Sequence, residues 1–238
     1  QKDTLYAHAD TFKVFTYNIR TDSVYSVMHA YRHRRAYRRD IQAVCDSLVF
    51  NGQDSVMTMY HDPILWQEGQ QLLGEEIKAF FNDSTIDSVQ VLRQALSVER
   101  LDSIHYNQIT GNEMHTYFRD GEVYLSTSIG NVYVNYFHMG EDSILADMNR
   151  TETTFLKIFL KDRKVDKIWM PAATGSFYPI PLIPADVLYV ENFAWFDYVR
   201  PVDKHDIFEW RPKKAGSELK KITRREAPKQ KLSNIKKK

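Results

Sequence analysis

Short segments of alternating apolar and polar residues recur along the chain, and each ends at a Phe before a polar turn. The first three turns lead into Asp-Ser-Val at Asp22, Asp54 and Asp87, and the last two lead into Val123 and Val165. Successive Phe residues lie 35, 31, 37 and 41 positions apart, at Phe15, Phe50, Phe81, Phe118 and Phe159. A period of this length predicts one supersecondary unit that is repeated and stacked.

Inside each unit the apolar residues alternate with a period of two, which is typical of a half-buried strand. Ile77, Ala79 and Phe81 share one face by this pattern. On the same basis a second set shares the inner face, with Tyr124, Ser126 and Ser128 opposite: Val123, Leu125, Thr127 and Ile129. Links such as Asn51-Gly52-Gln53 and Arg119-Asp120-Gly121 contain the residues that tight turns require. The sequence therefore predicts an all-β chain of about five stacked hairpins, whose apolar face folds over on itself or meets a second sheet.

The character of the chain changes after Tyr178. Residues 179–210 contain Pro179, Pro181 and Pro184, followed by an aromatic stretch around Trp195. This composition predicts a segment that caps one end of the sheet. Residues 211–238 are rich in Lys and Arg and predict a flexible, disordered tail. We therefore divide the chain into a β body at 1–178, a capping segment at 179–210 and a basic tail at 211–238.

Length and composition narrow the class of protein. The chain has 238 residues, 43% of them hydrophobic, which is enough to bury a core. No apolar run approaches the 18 residues of a membrane-spanning helix. The chain starts at Gln1 without a charged and apolar leader, which we interpret as export with a cleaved signal peptide.

The net charge of +1 combines two unlike parts. Residues 211–238 hold 12 basic and 2 acidic side chains, whereas residues 1–210 hold 20 basic and 29 acidic ones. Such a tail could dock on an anionic membrane surface or act only as a solubilising extension. It has no amphipathic apolar face, and the aromatic residues lie in the body, so no nucleic-acid partner is expected.

Motifs for covalent chemistry are missing from the sequence. The eight His residues do not have the spacing of a metal site, and no nucleophile elbow or phosphate-binding Gly-rich loop occurs. The single Cys45 is best interpreted as a small buried apolar side chain. We therefore predict no enzyme activity, no cofactor and no metal.

One basic cluster lies within the acidic body. Five arginines fall within eight positions: Arg32, Arg34, Arg35, Arg38 and Arg39. Guanidinium groups pair well with phosphate, so the cluster could receive an anion. Equally, basic residues protect an exposed strand edge from aggregation. The sequence leaves both interpretations open.

Several segments together resemble the OstA-like branch of the LptA family of periplasmic lipopolysaccharide-transport proteins. The segments are 42–50 (QAVCDSLVF), 61–66 (HDPILW), 72–77 (LLGEEI), 106–111 (YNQITG), and the pairs Ala194-Trp195 and Arg200-Pro201. The resemblance spans roughly residues 5 to 201, and it depends on the order and spacing of these segments.

The resemblance implies a β-jellyroll, a sheet folded like a taco, in the periplasm. It implies that acyl chains of lipopolysaccharide or lipid A lie in its apolar groove and that other jellyroll transport proteins stack on its edge strands. The family's lipid contacts are dispersed, so only inner-face positions carry over: Ile77, Ala79, Phe81, Val89, Val91, Met114, Phe118, Val123, Leu125, Val132 and Val134. The five arginines would then meet the head-group phosphates.

Two classes of function therefore remain from the sequence. The first is a non-enzymatic lipopolysaccharide carrier between the inner and outer membranes. The second is a structural β-repeat module of the envelope, with an interior filled by its own side chains and a partner protein on its edge strands or tail.

Overall fold

The chain forms a single antiparallel sheet of fourteen strands in a computed structural model that describes residues 4–20, 22–67, 69–82, 85–140 and 144–217. The strands are β1 (Tyr6–His8), β2 (Thr11–Tyr17), β3 (Tyr25–Arg38), β4 (Ile41–Asn51), β5 (Val56–Tyr60), β6 (Ile64–Gln67), β7 (Gln70–Leu73), β8 (Glu76–Asn82), β9 (Thr85–Arg100), β10 (Tyr106–Arg119), β11 (Glu122–Met139), β12 (Leu145–Lys161), β13 (Lys164–Trp169) and β14 (Thr174–Pro179). Three short 3₁₀ helices follow at Ile180–Leu182, Asp197–Val199 and Asp206–Phe208. Over the described part of the chain, no helix has the length and apolar content needed to cross a membrane.

The sheet is folded into two layers, because its long strands each run through both. Layer A contains, in order, β2, β3, β4, β5, β8, β9, β10, β11, β12 and β13. Layer B contains β1, β3, β4, β6, β7, β9, β10, β11, β12 and β14. Each layer is therefore ten strands wide, or about 43 Å at the usual strand spacing of about 4.8 Å.

The two layers meet along a row of bends, here called the corner row. In it, adjacent residues adopt positive φ at Arg32–His33, His61–Asp62, Arg93–Gln94 and Gly130–Asn131. The pairing registers shift at the same places, so that two residues of β3, β9 and β11 face one on β4, β10 and β12. The β10–β11 register shifts there too, with four residues of β11 opposite three of β10. Bulges of this kind bend a strand, and a row of them bends the whole sheet.

Small residues make the corner row sterically feasible. Gly130 has a φ of +72°, where a side chain is disfavoured, and an added Cβ would collide with Asn112. At Gly74, on the path from β7 to β8, an added Cβ would meet the side chain of Val91 on the facing layer. Glycine is therefore required where the strands turn closest to one another.

The space between the layers, here called the interior, is filled by apolar side chains over the middle strands. Its buried residues come from both layers: Cys45, Met59, Leu65, Ile77, Ala79, Val89, Val91, Ala95, Met114 and Phe118. Met59 and Ile77 are completely buried. Burial of side chains of this size contributes about 1.5–3 kcal/mol each, so this core holds the layers together.

The other face of layer B is also apolar, and the segment after β14 covers it. This segment, residues 180–210, is here called the strap. Buried strap residues Val190, Phe196 and Val199 pack on a set of layer B side chains: Val44, Ile64, Trp66, Leu73, Leu96, Val98 and Tyr106. Layer B is therefore buried on both faces, like the central layer of a three-layer protein.

Buried amide side chains of layer B bind the strap's backbone. Gln108 donates to the Leu188 carbonyl at 2.9 Å and accepts from the Val190 N–H at 2.8 Å. In the same way Gln71 donates to the Ala194 carbonyl at 2.9 Å and accepts from the Phe196 N–H at 2.8 Å. Both glutamines are fully buried, so these bonds satisfy polar groups that water cannot reach.

The strap ends in a buried ion pair. Asp206 accepts from Arg35 at 3.1 Å, and the two side chains are only 6% and 1% exposed. Arg35 also donates to the Glu209 carbonyl, and Asp206 also accepts from Arg211 and from the Val202 N–H. Burial lowers the pKa of Arg35, while the nearby Asp206 acts in the opposite direction. The strap is therefore fixed to β3 at its far end.

The predicted all-β fold class is confirmed, and so are the five predicted hairpins. They are β2–β3, β4–β5, β8–β9, β10–β11 and β12–β13. All five hairpins turn on the side of layer A that lies away from the corner row, and this side is here called the rim of layer A. Residues 179–210, predicted to cap one end of the sheet, cover the apolar outer face of layer B.

We predict that Asp206→Ala destabilises the protein by about 3–5 kcal/mol, because the change leaves the buried Arg35 charge unpaired. The free energy of unfolding from urea titration measures this loss. Glu209→Ala is the matched control: the Glu209 side chain is exposed and only its backbone carbonyl binds Arg35. Equal stability of Asp206→Ala and Glu209→Ala would contradict the assignment.

Candidate functional site

The interior is the candidate site, because apolar side chains of both layers face each other there over the middle strands. Strand pairing assigns the facing side chains. In layer A, Met28 lies opposite Phe50, and Phe50 lies opposite Met57, all on the interior face. In layer B the interior face carries Ile41 and Ala43. An apolar surface of this extent shelters either the protein's own core or an apolar ligand.

Most of the predicted inner-face residues do lie in the interior. Six belong to its buried core: Ile77, Ala79, Val89, Val91, Met114 and Phe118. Phe81 and Val123 are partly buried and pack against that core. Val134 lies opposite Ile109, which packs on the core, and Val132 is fully buried on the same side of β11. Contact of any of these residues with lipid stays a prediction.

Leu125 is on the wrong face, and its placement corrects the prediction from alternation. The β10–β11 register shifts beside Tyr124, so Val123 lies opposite Phe118 but Leu125 lies opposite Tyr117. Tyr117 is adjacent to the interior residue Phe118 and faces outward. One extra residue in a strand moves the following side chains to the other face. Leu125 therefore belongs to the outer surface of layer A.

The interior is exposed at both ends of the sheet. At one end β2 carries Phe12 and Val14, which register with the interior residues Ala30 and Met28. At the other end β13 carries Val165 and Ile168, which register with Leu160 and Ile158. All residues of β2 and β13 are exposed. The same alternation that identified the middle strands could have found these four positions.

The five arginines do not form one receptor. Arg35 is committed to the strap, and Arg38 pairs with Asp40 through two bonds of 2.6 and 2.9 Å. Arg32 and Arg39 are exposed, whereas Arg34 is buried. A shared head-group site of all five is therefore wrong, because Arg34 and Arg35 lie on opposite faces of β3 and Arg39 lies beyond its end.

The alternative interpretation, a charged sheet edge, is wrong as well. β3 pairs with β4 on one side and with β1 and β2 on the other, so it is not an edge strand.

Most of the basic tail, residues 218–238, lies outside the described residues. The prediction that the tail docks on a membrane therefore stays a prediction.

Several histidines pair with carboxylates. His33 contacts Asp10 at 2.9 Å, and His138 contacts Asp147 at 2.7 Å. Within the described ranges, no three His, Cys, Asp or Glu side chains gather as a metal site. These contacts are therefore surface hydrogen bonds between single histidines and single carboxylates.

Comparison with known proteins gives one result of note. No family model matches the chain, and no curated protein matches it. Among solved structures, the crystal structure of LptH from Pseudomonas aeruginosa is similar, with 13% identity and a TM-score of 0.41. The matched region covers 58% of this chain and 93% of LptH, which is the LptA-homologous periplasmic component of the lipopolysaccharide transport device. What this protein binds must therefore be inferred from its own side chains.

We predict that Cys45 is unreactive in the folded protein. The thiol is 3% exposed, and burial raises its pKa to about 12. The reactive thiolate is therefore almost absent at neutral pH. Iodoacetamide at pH 8, followed by mass spectrometry, should label Cys45 only after unfolding in urea. Labelling at the same rate with and without urea would contradict the placement of Cys45 in the interior.

Proposed function

We propose that this protein is a non-enzymatic lipid carrier that shelters acyl chains between layers A and B and passes them from one end of the sheet to the other. The observation that carries the proposal is the apolar core between the layers, together with exposed apolar side chains on the interior side of both outermost strands of layer A. Soluble proteins rarely leave such surfaces uncovered without a binding role.

Lipopolysaccharide is the ligand that we propose within this class, because the sequence resembles carriers of that lipid. Its acyl chains match the interior chemically, and burial yields about 0.8 kcal/mol per CH₂ group. The place of action would be the periplasm, between the inner and outer membranes. The basic residues 211–238 would then be available to contact an anionic membrane surface.

The methionines of the interior favour a core that can rearrange. Met28, Met57, Met59 and Met114 lie on its faces, four of the seven methionines in the chain. Methionine side chains are unbranched and adapt their shape to what they contact. The middle of the interior can therefore repack around an acyl chain at a lower cost than a core of branched residues.

Strand direction also favours end-to-end stacking with other jellyroll proteins. β2 runs from the corner row to the rim, whereas β13 runs from the rim to the corner row. Because each layer has ten antiparallel strands, the β2 of a second molecule placed beside β13 continues the alternation without a break. The contact then joins two different surfaces, β2 of one molecule and β13 of the next, and a contact of this kind can add further molecules in a line. Open edge strands are suited to this pairing.

A structural envelope module is the second candidate function. The observation that favours it is the complete burial of Met59 and Ile77, since lipid can enter the middle only if these side chains move. Native mass spectrometry of protein purified from membranes separates the two candidates. Bound lipid of defined mass favours the carrier, and a lipid-free mass on every preparation favours the module.

We predict that a photocrosslinking residue at Ile168 captures lipid and that one at Trp169 does not. The two neighbours on β13 are equally exposed, at 50% each, but they face opposite sides of layer A. Radiolabelled lipopolysaccharide in living cells provides the readout. Adducts at both positions, or at neither, would argue against an interior path.

We also predict that β2 and β13 of different molecules pair. A Cys at Lys13 in one molecule and a Cys at Lys167 in another, both in the Cys45→Ala background, should form a mixed disulfide dimer on oxidation. Each variant alone is the control and should give far less dimer on a non-reducing gel. Equal dimer yields from the single variants and from the mixture would count against stacking of unlike edges.

A further inference from the structure

Arg34 differs from the other arginines of its cluster because it lies in the interior. Its Cα is paired with that of the interior residue Cys45, and only 4% of Arg34 is exposed. If the β1–β3 register continues by one residue, Ala9 lies on its other side, and Ala9 is buried too.

The guanidinium of Arg34 is incompletely bonded. Its Nε donates to the Asp46 carbonyl at 3.4 Å, which is a long bond. Its Nη2 is buried and has no hydrogen-bond partner among the residues that the structure describes. A buried donor that bonds neither to protein nor to water is unfavourable.

The charge of Arg34 is also unpaired. Two nearby carboxylates favour it, Asp46 and Asp10, but Asp10 contacts His33 at 2.9 Å instead. No carboxylate of the described residues lies within ion-pair distance of Arg34. Burial lowers the pKa of Arg34, yet a guanidinium stays protonated in proteins. A buried cation without an anion is a costly arrangement for a folded protein.

We infer that Arg34 binds a phosphate group carried by a lipid whose chains lie in the interior, since its Nη2 is buried and unpartnered and its side chain, like that of Met28, lies on the interior side of β3. This inference rests on the proposed carrier function and assigns the head-group end of the ligand to the β1–β2 end of the sheet. A phosphate oxygen would complete both the hydrogen bonding and the charge of Arg34.

The edge of the sheet provides the route to Arg34. β1 has only three residues, and it pairs with residues 35–37 of β3. β2 is exposed throughout. Short edge strands open at low cost, so a head group can reach Nη2 by displacing β1 while its chains enter past Phe12 and Val14.

The test compares lipid A with the same lipid after enzymatic removal of its phosphates. We expect the unchanged protein to bind the phosphorylated form at least about tenfold more tightly, the effect of one charged hydrogen bond. Arg34→Met should abolish this preference and retain binding of the dephosphorylated lipid. Arg32→Met is the matched control, because Arg32 is exposed at the corner row, and it should keep the preference.

Other outcomes separate the inference from the proposed function. If the unchanged protein binds neither lipid, the carrier function fails. If it binds both lipids equally, the carrier function stands and the role of Arg34 is overturned. If inorganic phosphate alone raises the melting temperature through Arg34 while the lipids bind equally, the site serves free phosphate, which overturns the lipid assignment.

Thermal unfolding without lipid tests whether Arg34 has only a structural role. Arg34→Met should melt at the same temperature as the unchanged protein or higher, because an apolar side chain of similar length replaces an unpaired buried charge. A clear loss of melting temperature together with loss of both lipids would mean that Arg34 only supports the corner, and the inference would be wrong.

Discussion

The corner row is the constraint on which the rest of the structure depends. Ten antiparallel strands with apolar residues on both faces cannot remain flat in water, because either face would stay exposed. Bends such as Arg93–Gln94 in β9 and Gly130–Asn131 in β11 occur at the same height on either side of β10. One sheet thereby becomes two layers, and the interior forms where their apolar faces meet. If one strand bent at a different height, its ladder would lose register with both neighbours.

Folding the sheet leaves the outer face of layer B uncovered, and the strap covers that face. An extended segment has backbone groups that its own structure does not satisfy, so a dry apolar surface alone would be a poor partner. Gln71 and Gln108 supply a donor and an acceptor each, at the points where the strap crosses β7 and β10. Gln42 and Asn135 add contacts to Arg200 and to the Val187 carbonyl. The strap is therefore held by polar groups inside an apolar interface.

The sequence predicted layer A well because turn residues there are local signals. The links at 51–55 and 119–122 have the Asn, Asp and Gly that hairpins need, and each joins two strands as expected. The turns at the rim of layer B have weaker signals, and the sequence did not reveal that every long strand serves both layers. The bends between the layers could not be predicted, because the positive φ of Arg93 and His33 follows from tertiary packing. Neither residue type favours that conformation.

The sequence predicted which side chains of the candidate site face the interior, except where a bulge interrupts the alternation. Alternation identified Ile77 and Val91 correctly, because the β8–β9 register shift at Phe80–Phe81 lies nearer the rim than either residue. It failed at Leu125, since a single-residue shift beside Tyr124 is invisible in the pattern. The buried glutamines did carry a signal: Gln71 and Gln108 are amides in otherwise apolar strands. Such a residue in a buried position indicates a bonded partner, here the strap.

The packed middle and the exposed ends of the interior fit two stages of the proposed carrier function. A carrier has to remain folded when empty, so its own side chains must fill the space that the ligand later takes. Met59 and Met114 can leave that space by rotating, and acyl chains can replace the contacts they give up. At the ends, Val14 and Ile168 have no such neighbours and are exposed already. A lipid would therefore enter at an edge strand, where little has to move, and advance by exchanging places with methionine side chains strand by strand.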